Sequence, residues 1–502
     1  MSAQPQPVAP PIRVVSPSTG QLLGEVPDLG EPGVRAAVDR ARAAAPGWAA
    51  TPLSERIAAL KRWRRAALDE PRLVDTLVNE SGKPRHEAEG IEILYFCELL
   101  RFSASVARRA LREETRNPFL FMTKKTRLVR KPIGVVGVIG PWNFPILNNA
   151  ADAVAPLLAG NTVVLKPSEV TPLTSVLFEE LWRRAGNPEN VFQVVTGRGP
   201  SGAALVDLAD AVMFTGSVAT GRRIAARCGE RLIPCITELG GKSPLLVLEG
   251  ADLDRAARAA AWSGFLHSGQ ACIRTERIYV QESIADAFEA KLVERVKALR
   301  QSAPGSAEHD LGAVTFERQL TLVESQLADA VAKGGKVLTG GKRRTDLPGN
   351  FFEPTVVGNA RQEMEAMREE TFGPLVPVMR VKDADEAVRL ANDTHLGLNA
   401  TVFGPEGKAR EVARRIQSGN VIVNDVLVNY FVVEAPLGGW KASGLGARHG
   451  MESVRQWTKL TAITMSRPLL VPVARFLAKK LAFPYDAGVL KLLHKATRLL
   501  YR

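Results

Sequence analysis

One of the four cysteines in this 502-residue chain, Cys272, lies in FLHSGQACIRT (265–275), directly after Gly269-Gln270-Ala271. The small residues leave its surroundings open. A buried structural thiol needs no such access, whereas a nucleophilic one does, together with its thiolate form. Such a nucleophile also needs donors for the oxyanion it generates and a base. GPWNFP (140–145) offers an amide, Asn143, between an aromatic residue and a Pro-ended turn. Its other reading is a turn asparagine bonded to its own backbone. TELGGKSP (237–244) offers a carboxylate, Glu238, after an apolar run and before a Gly-Gly turn. Partial desolvation at a strand end suits a general base; the other reading is a surface carboxylate.

Two further stretches point to a nucleotide. In FTGSVATG (214–221) a strand enters a helix, Gly216 permits the turn and Ser217 can cap, so a phosphate would sit on free N–H groups. The spacing is not the G-x-G-x-x-G fingerprint. In VLKPSE (164–169), Lys166 and Glu169 stand at a strand end where they could hold ribose hydroxyls, or form a solvated loop.

The elements that must position these residues follow from periodicity. Glu31 to Trp48 and Leu53 to Leu68 have the amphipathic spacing of helices. From residue 127 the pattern becomes short apolar strands alternating with helices: RLVRKPIGVVGVIGP (127–141), NTVVLKPSE (161–169), VFQVVTG (191–197) and AVMFTGS (211–217), with a helix over Thr174 to Ala185. A second such series begins near Gly240, with strands in PLLVLEG (244–250), RIYVQES (277–283), KVLTGGK (336–342), FEPTVVG (352–358) and GNVIVND (419–425), and a helix over Leu253 to Ser263. Alternation of this kind specifies parallel α/β sheets, whose ligands bind at the carboxyl ends of the strands. The motifs above fall at those ends.

Composition narrows the field. Hydrophobic residues make up 45% and charged residues 24%, the balance of a folded globular chain. Cys97, Cys228, Cys235 and Cys272 fit neither a zinc motif nor a disulfide framework, and the six histidines lack metal-ligand spacing, so no metal is expected. Cys97, Cys228 and Cys235 read as inert thiols, and His267 as a helix residue rather than a thiol activator. MSAQPQPVAPP (1–11) reads as a flexible arm with no signal peptide. The uncharged run 133–151 contains two prolines and three asparagines, unlike a lipid-spanning helix. The net charge is +13, but residues 467–502 contribute seven of those charges, so the body is only mildly basic and no nucleic acid is implied.

Taken in order, GPWNFP, KPSE, FTGS, ELGGK, GQAC, EETFGP (369–374) and PLGGWKASGLG (436–446) closely resemble the aldehyde dehydrogenase superfamily over about residues 12–466. The resemblance implies an α/β fold of two parallel-sheet, Rossmann-like domains plus a β-strand oligomerisation arm. The implied boundaries are 12–115 with 134–239 for NAD binding, 240–435 for the domain carrying Cys272, and 116–133 with 436–466 for the bridging segment. It implies oxidation of a small-molecule aldehyde to an acid, with Cys272 as nucleophile. Asn143 and the Cys272 N–H would stabilise the oxyanion, and Glu238 would activate water. It further implies that Lys166 and Glu169 hold the adenosine ribose. Trp142, Gly216, Ser217 and Gly221 would surround the adenine ribose and pyrophosphate, and Glu370 and Phe372 would hold the nicotinamide end. Glu169 would repel a 2′-phosphate, which favours NAD while leaving NADP open.

The 424–450 stretch resembles the fatty and aromatic (class 3) branch, as does Phe483-Pro484-Tyr485, which implies a medium-chain, long-chain or aromatic aldehyde. QWTKLTAITMS (456–466) resembles the strand through which family members pair, implying a homodimer or a homotetramer. The 467–502 tail carries Leu, Val and Phe at near-helical spacing with basic residues between. It reads either as a helix lying on an anionic membrane surface, giving a cytoplasmic, peripherally attached protein, or as a helix packed on the substrate mouth or a partner. Its prolines and Gly488 argue against a spanning helix. Two alternatives stay open, a CoA-acylating dehydrogenase, against which Glu238 speaks, and a semialdehyde dehydrogenase acting on a small polar substrate; a cysteine hydrolase would need a His partner and no nucleotide motifs, and a non-catalytic protein would be expected to lose Cys272, Glu238 or Asn143, all of which are present.

Overall fold

The computed structural model describes residues 9–118, 122–302, 309–480, 482–483 and 487–501. These form two compact units. The first comprises the chain up to Ala110 together with Pro132–Trp457; the second comprises Leu111–Lys131 and the chain from Thr458 onward.

The first unit contains two α/β sheets. In the six-stranded sheet, Cys235–Glu238, Ala211–Thr215, Val135–Ile139, Thr162–Lys166 and Phe192–Val194 lie side by side and parallel, with Gly444–Leu445 antiparallel on the outer edge beside Glu238. The second sheet has seven strands in the order Lys336–Thr339, Thr355–Gly358, Leu375–Val381, Arg277–Gln281, Pro244–Val247, Asn399–Phe403 and Asn420–Val423. All pair in parallel except the first, which is antiparallel. Parallel strands covered on both faces are apolar throughout, and Val135–Ile139, Thr162–Lys166 and Ala211–Thr215 are buried along their whole length. Val34, Val38, Leu205 and Val212 form part of one core; Leu246, Val323, Leu375 and Val402 form part of the other.

The helices at Gly30–Ala50, Leu53–Leu68 and Leu173–Arg184 match their sequence periodicity closely. Among the strands absent from that reading are Leu375–Val381 and Asn399–Phe403. The first is interrupted by Pro377, which argues against a central strand, yet it lies between Thr355–Gly358 and Arg277–Gln281. The flexible arm expected over 1–11 is corrected in part. Ala9–Val15 is a strand paired with Leu22–Asp28, because the alternating Ile12 and Val14 bury one face; residues 1–8 lie outside the described residues.

The second unit is a three-stranded sheet, Thr458–Ser466, Lys124–Pro132 and Glu114–Arg116 in that order, followed by helices Val471–Lys480 and Ala487–Tyr501. Thr126 and Thr464 hydroxyls meet at 2.9 Å across the first pair. Phe483 is described and exposed, whereas Pro484 and Tyr485 lie outside the described residues. Among the described residues no helix is long and apolar enough to cross a membrane.

Candidate active site

Cys272 follows a short 3-10 turn, Leu266–Gly269, in which His267 and Ser268 take left-handed backbone angles (φ 49° and 52°). His267 is therefore a turn residue and not a helix residue. Its ring is buried against Phe144, centroids 5.3 Å apart, and desolvation holds its pKa well below the usual value, so it stays neutral. It makes no side-chain hydrogen bond among the described residues.

Cys272 stands between two cavities. On one side lies a polar cavity of about 710 Å³, where it meets Asn143, Glu238, Glu370 and Phe372. On the other lies an apolar pocket of about 470 Å³ lined by Ile91, Phe144, Leu147, Trp262, Leu427 and Phe431, among others, with no Lys, Arg or His among the described residues of its lining. Burial, then the Glu370 carboxylate, pushes the Cys272 thiol up to about 12, against the pull of Arg448. The resting sulfur is thus a neutral thiol, and its activation requires a proton acceptor.

Glu238 ends its strand with 4% exposure, and its Oε1 has no hydrogen-bond partner among the described residues. Burial pushes its carboxyl up to about 8. Asn143 is buried and its Nδ2 donates to the Gln270 carbonyl at 2.8 Å, aiming the amide at the turn that carries Cys272. The Gly-Gly after Glu238 is required by close approach. A Cβ on Gly240 would lie 2.5 Å from Glu370 Oε2, and one on Gly241 would lie 2.3 Å from the Cys272 carbonyl oxygen. Glu370 Oε1 in turn accepts from the Gly241 N–H at 2.8 Å.

The polar cavity shares Trp142, Gly216 and Ser217 with a larger cleft of about 1690 Å³ that also contains Lys166 and Glu169. Ser217 caps the helix Val218–Glu230 by accepting from the Thr220 N–H at 3.4 Å, and the helix N-terminus faces this cleft. Gly221 lies against Leu239, where a Cβ would come within 2.4 Å, so its role is close packing rather than lining this cleft. Lys166 Nζ lies 3.4 Å from Glu169 Oε2. Phe372, at φ 49°, packs edge-on to Trp142 with centroids 5.4 Å apart. A wide cleft holding a helix N-terminus and an anion-compatible lysine, joined to the narrower cavity beside Cys272, suits a dinucleotide in shape and charge.

Several groups that hold this geometry escape sequence reading. The Lys83 ammonium is fully buried, pairs with Glu92 and donates to the Asn143 carbonyl at 2.9 Å. Glu92 accepts from the Ile146 and Leu147 N–H groups at 2.8 and 3.2 Å, so the pair clamps the Asn143 loop. Glu276 bonds the backbone of Thr371 and Phe372 while paired with Lys242 and Arg274, both at 2.6 Å. Burial alone would raise its pKa, but Arg274 and Lys242 hold it down to about 2. The stretches SGKP, ELGGK and ACIRTE contain these residues, but charges in a sequence give no sign of which are buried.

The sequence model of the aldehyde dehydrogenase family matches residues 5–463. The chain belongs to this family of NAD(P)-dependent aldehyde-oxidising enzymes. A protein of Mycolicibacterium smegmatis named as a putative NADP(+) succinate-semialdehyde dehydrogenase is 41% identical over 455 residues, covering 90% of this chain and 88% of its own. A 4,4'-diapolycopene aldehyde oxidase of Methylomonas is 40% identical over 483 residues, covering 95% and 89%. The crystal structure of a Mycobacterium tuberculosis aldehyde dehydrogenase complexed with NAD+ superimposes with a TM-score of 0.87 at 33% identity, covering 91% and 95%. The family expectation and the fold therefore hold. The fatty and aromatic branch expectation is corrected: these relatives bear semialdehyde and diapolycopene-aldehyde names rather than names of that branch.

Proposed function

We propose that the protein oxidises an apolar aldehyde to its carboxylic acid, with Cys272 as nucleophile, Asn143 and the Cys272 N–H as oxyanion donors, and Glu238 as general base. The observation that carries this reading is the position of Cys272 between a cavity holding Asn143 and Glu238 and an apolar pocket with no cation among the described residues of its lining. As the sulfur adds to the aldehyde carbon its proton passes to solvent, and the carbonyl oxygen becomes the oxyanion that Asn143 and the Cys272 N–H would hold. Loss of hydride from that carbon gives a thioester on Cys272, the bound oxidised dinucleotide being the hydride acceptor. Glu238 takes a proton from water as the water adds to the thioester, releasing the acid and regenerating the thiol. The dinucleotide would be held by Lys166 and Glu169 at its adenosine ribose, by Trp142, Gly216 and Ser217 around the adenine ribose and pyrophosphate, and by Glu370 and Phe372 at the nicotinamide. NAD is the preferred form, because the Glu169 carboxylate opposes a 2′-phosphate.

A second reading, a semialdehyde carrying its own carboxylate, has the support of the names of the mycobacterial relatives. Desolvating that carboxylate in an apolar pocket without a paired cation is costly, whereas a relative named for the aldehyde of a hydrocarbon accords with the lining. NAD(P)H formation with succinate semialdehyde and a graded series from propanal to decanal plus benzaldehyde, without CoA, separates the two; Cys272→Ala is the control. Turnover rising with chain length supports the proposal, and turnover confined to succinate semialdehyde refutes it. Turnover only with added CoA moves the enzyme to the acylating class.

The same reading extends to partners. The outer edge of Thr458–Ser466 carries exposed Leu460, Ile463 and Met465 and suits strand pairing with a second copy in a homodimer, which light scattering tests. Helix Ala487–Tyr501 presents exposed Leu490, Leu493 and Leu500 on one arc and Lys491, Lys495 and Arg498 on another, an arrangement that suits an anionic bilayer surface.

A further inference from the structure

Glu238 lies in register with Thr215 on one neighbouring strand and with Gly444 on the other. Adjacent strands run about 4.8 Å apart, so Thr215 is its next-door residue. The Thr215 hydroxyl is bonded by the guanidinium of Arg448. The same guanidinium donates to Asn148 Oδ1 at 2.8 Å and to the Tyr430 hydroxyl at 3.2 Å, and pairs with Asp152 at 2.7 Å. Both members of this ion pair are 6% exposed. Thr215 and Asn148 line the cavity that holds Glu238 and Cys272. Arg448 Nε has no acceptor, and Glu238 Oε1 has no donor, among the described residues. An orphaned donor and an orphaned acceptor are thus anchored at adjacent positions of one sheet, around the group proposed as the base.

We propose that the Arg448–Asp152 ion pair sets the charge state of Glu238: Arg448 is a positioning residue that favours the water-activating carboxylate, and Asp152 moderates it. The inference rests on the reading of Glu238 as general base. The charged or titratable groups that face Glu238 are Arg448, Asp152 on the helix Ala151–Leu158, Tyr95 on the helix Leu94–Leu111 and Cys272, with Glu370 across the same cavity. Burial pushes Tyr95 well above its usual value and Cys272 to about 12, so both are neutral near pH 7. The Glu370 carboxylate acts on Cys272 rather than on Glu238. Arg448 and Asp152 are left as the opposing charges: burial raises Glu238, Arg448 lowers it and Asp152 raises it.

The test isolates thioester hydrolysis from hydride transfer. 4-Nitrophenyl acetate acetylates Cys272: sulfur attacks the ester carbonyl, its proton passes to solvent and 4-nitrophenolate leaves. Excess ester is removed, and recovery of the free thiol is followed from pH 5.5 to 9.5 in the intact protein. The wild-type rate rises with pH through a limb near the Glu238 value of about 8. Asp152→Asn moves that limb down by about one pH unit, and Arg448→Gln moves it up by about one unit, roughly tenfold faster and slower hydrolysis at pH 7. Arg448→Lys, which keeps the charge, stays near wild type. A merely structural pair would lower rates without opposite displacements. Limbs of Asp152→Asn and Arg448→Gln that stay in place or move the same way overturn the proposal. If Arg448→Gln does not fold, the downward move of Asp152→Asn decides alone. A limb that survives Glu238→Gln, or a Cys272 that takes no acetyl group, overturns instead the reading beneath it.

Discussion

Replacing Lys83 with methionine keeps most of the side-chain volume and removes one buried charge. In the native protein Lys83 and Glu92 are each 0% exposed, and Lys83 also donates to the Asn143 carbonyl and lies 4.2 Å from the centre of the Phe144 ring. Lys83→Met leaves the Glu92 carboxylate buried without its counter-charge, a loss of about 3–5 kcal/mol. It also orphans the Asn143 carbonyl, a cost of about 1–3 kcal/mol that overlaps with the first because the same group is removed. Unfolding entropy of about 2.1 cal/mol/K per residue gives roughly 1 kcal/mol/K for a 502-residue chain, so the midpoint of thermal unfolding should fall by about 3–5 °C. Pairing the change with Glu92→Gln removes the stranded charge while retaining an oxygen for the Ile146 and Leu147 N–H groups. Lys83→Met/Glu92→Gln should therefore recover at least half of the loss, and calorimetry on wild type, both single variants and the double variant closes the cycle. A single variant within 1 °C of wild type, or a double variant as unstable as the sum of the singles, would refute the clamp.

Three further outcomes are expected. Asn143→Ala should lower kcat by about 10²–10³ with little change in KM, because its amide is the side-chain donor aimed at the Cys272 turn; steady-state kinetics with the preferred aldehyde check this, and a loss below threefold contradicts the oxyanion role. Glu169→Ala should raise kcat/KM for NADP by about tenfold or more relative to NAD, since it removes a carboxylate at the ribose position while Lys166 remains; an unchanged ratio refutes the repulsion. Ending the chain at Arg467 should abolish co-flotation with vesicles containing phosphatidylglycerol, and the full chain should not float with phosphatidylcholine alone; flotation that persists after truncation removes the tail from the contact.

Much of the fold was legible because parallel strands buried on both faces are short apolar runs bounded by glycine and polar residues, as in NTVVLKPSE and AVMFTGS. Leu375–Val381 was not legible, because Pro377 breaks the local signal and only the pairing with Thr355–Gly358 and Arg277–Gln281 makes it a strand. Cys272, Asn143 and Glu238 could be picked out as candidates by residue type and turn context. The clamps were hidden: Lys83, Glu92 and Glu276 look in sequence like ordinary surface charges, and their roles come from partners up to 96 positions away.

What the amino-acid sequence determined by itself is the alternation of strands and helices and the local turns that present each chemical group, since both depend on neighbours a few residues apart. Whether Glu238 stays protonated up to about pH 8, whether Cys272 opens on an apolar pocket, and which charges are neutralised in the interior were decided only by tertiary structure. Those properties are set by desolvation and by distances of a few ångströms between remote segments, as between Arg448 and Asp152, and no local pattern in the chain encodes them.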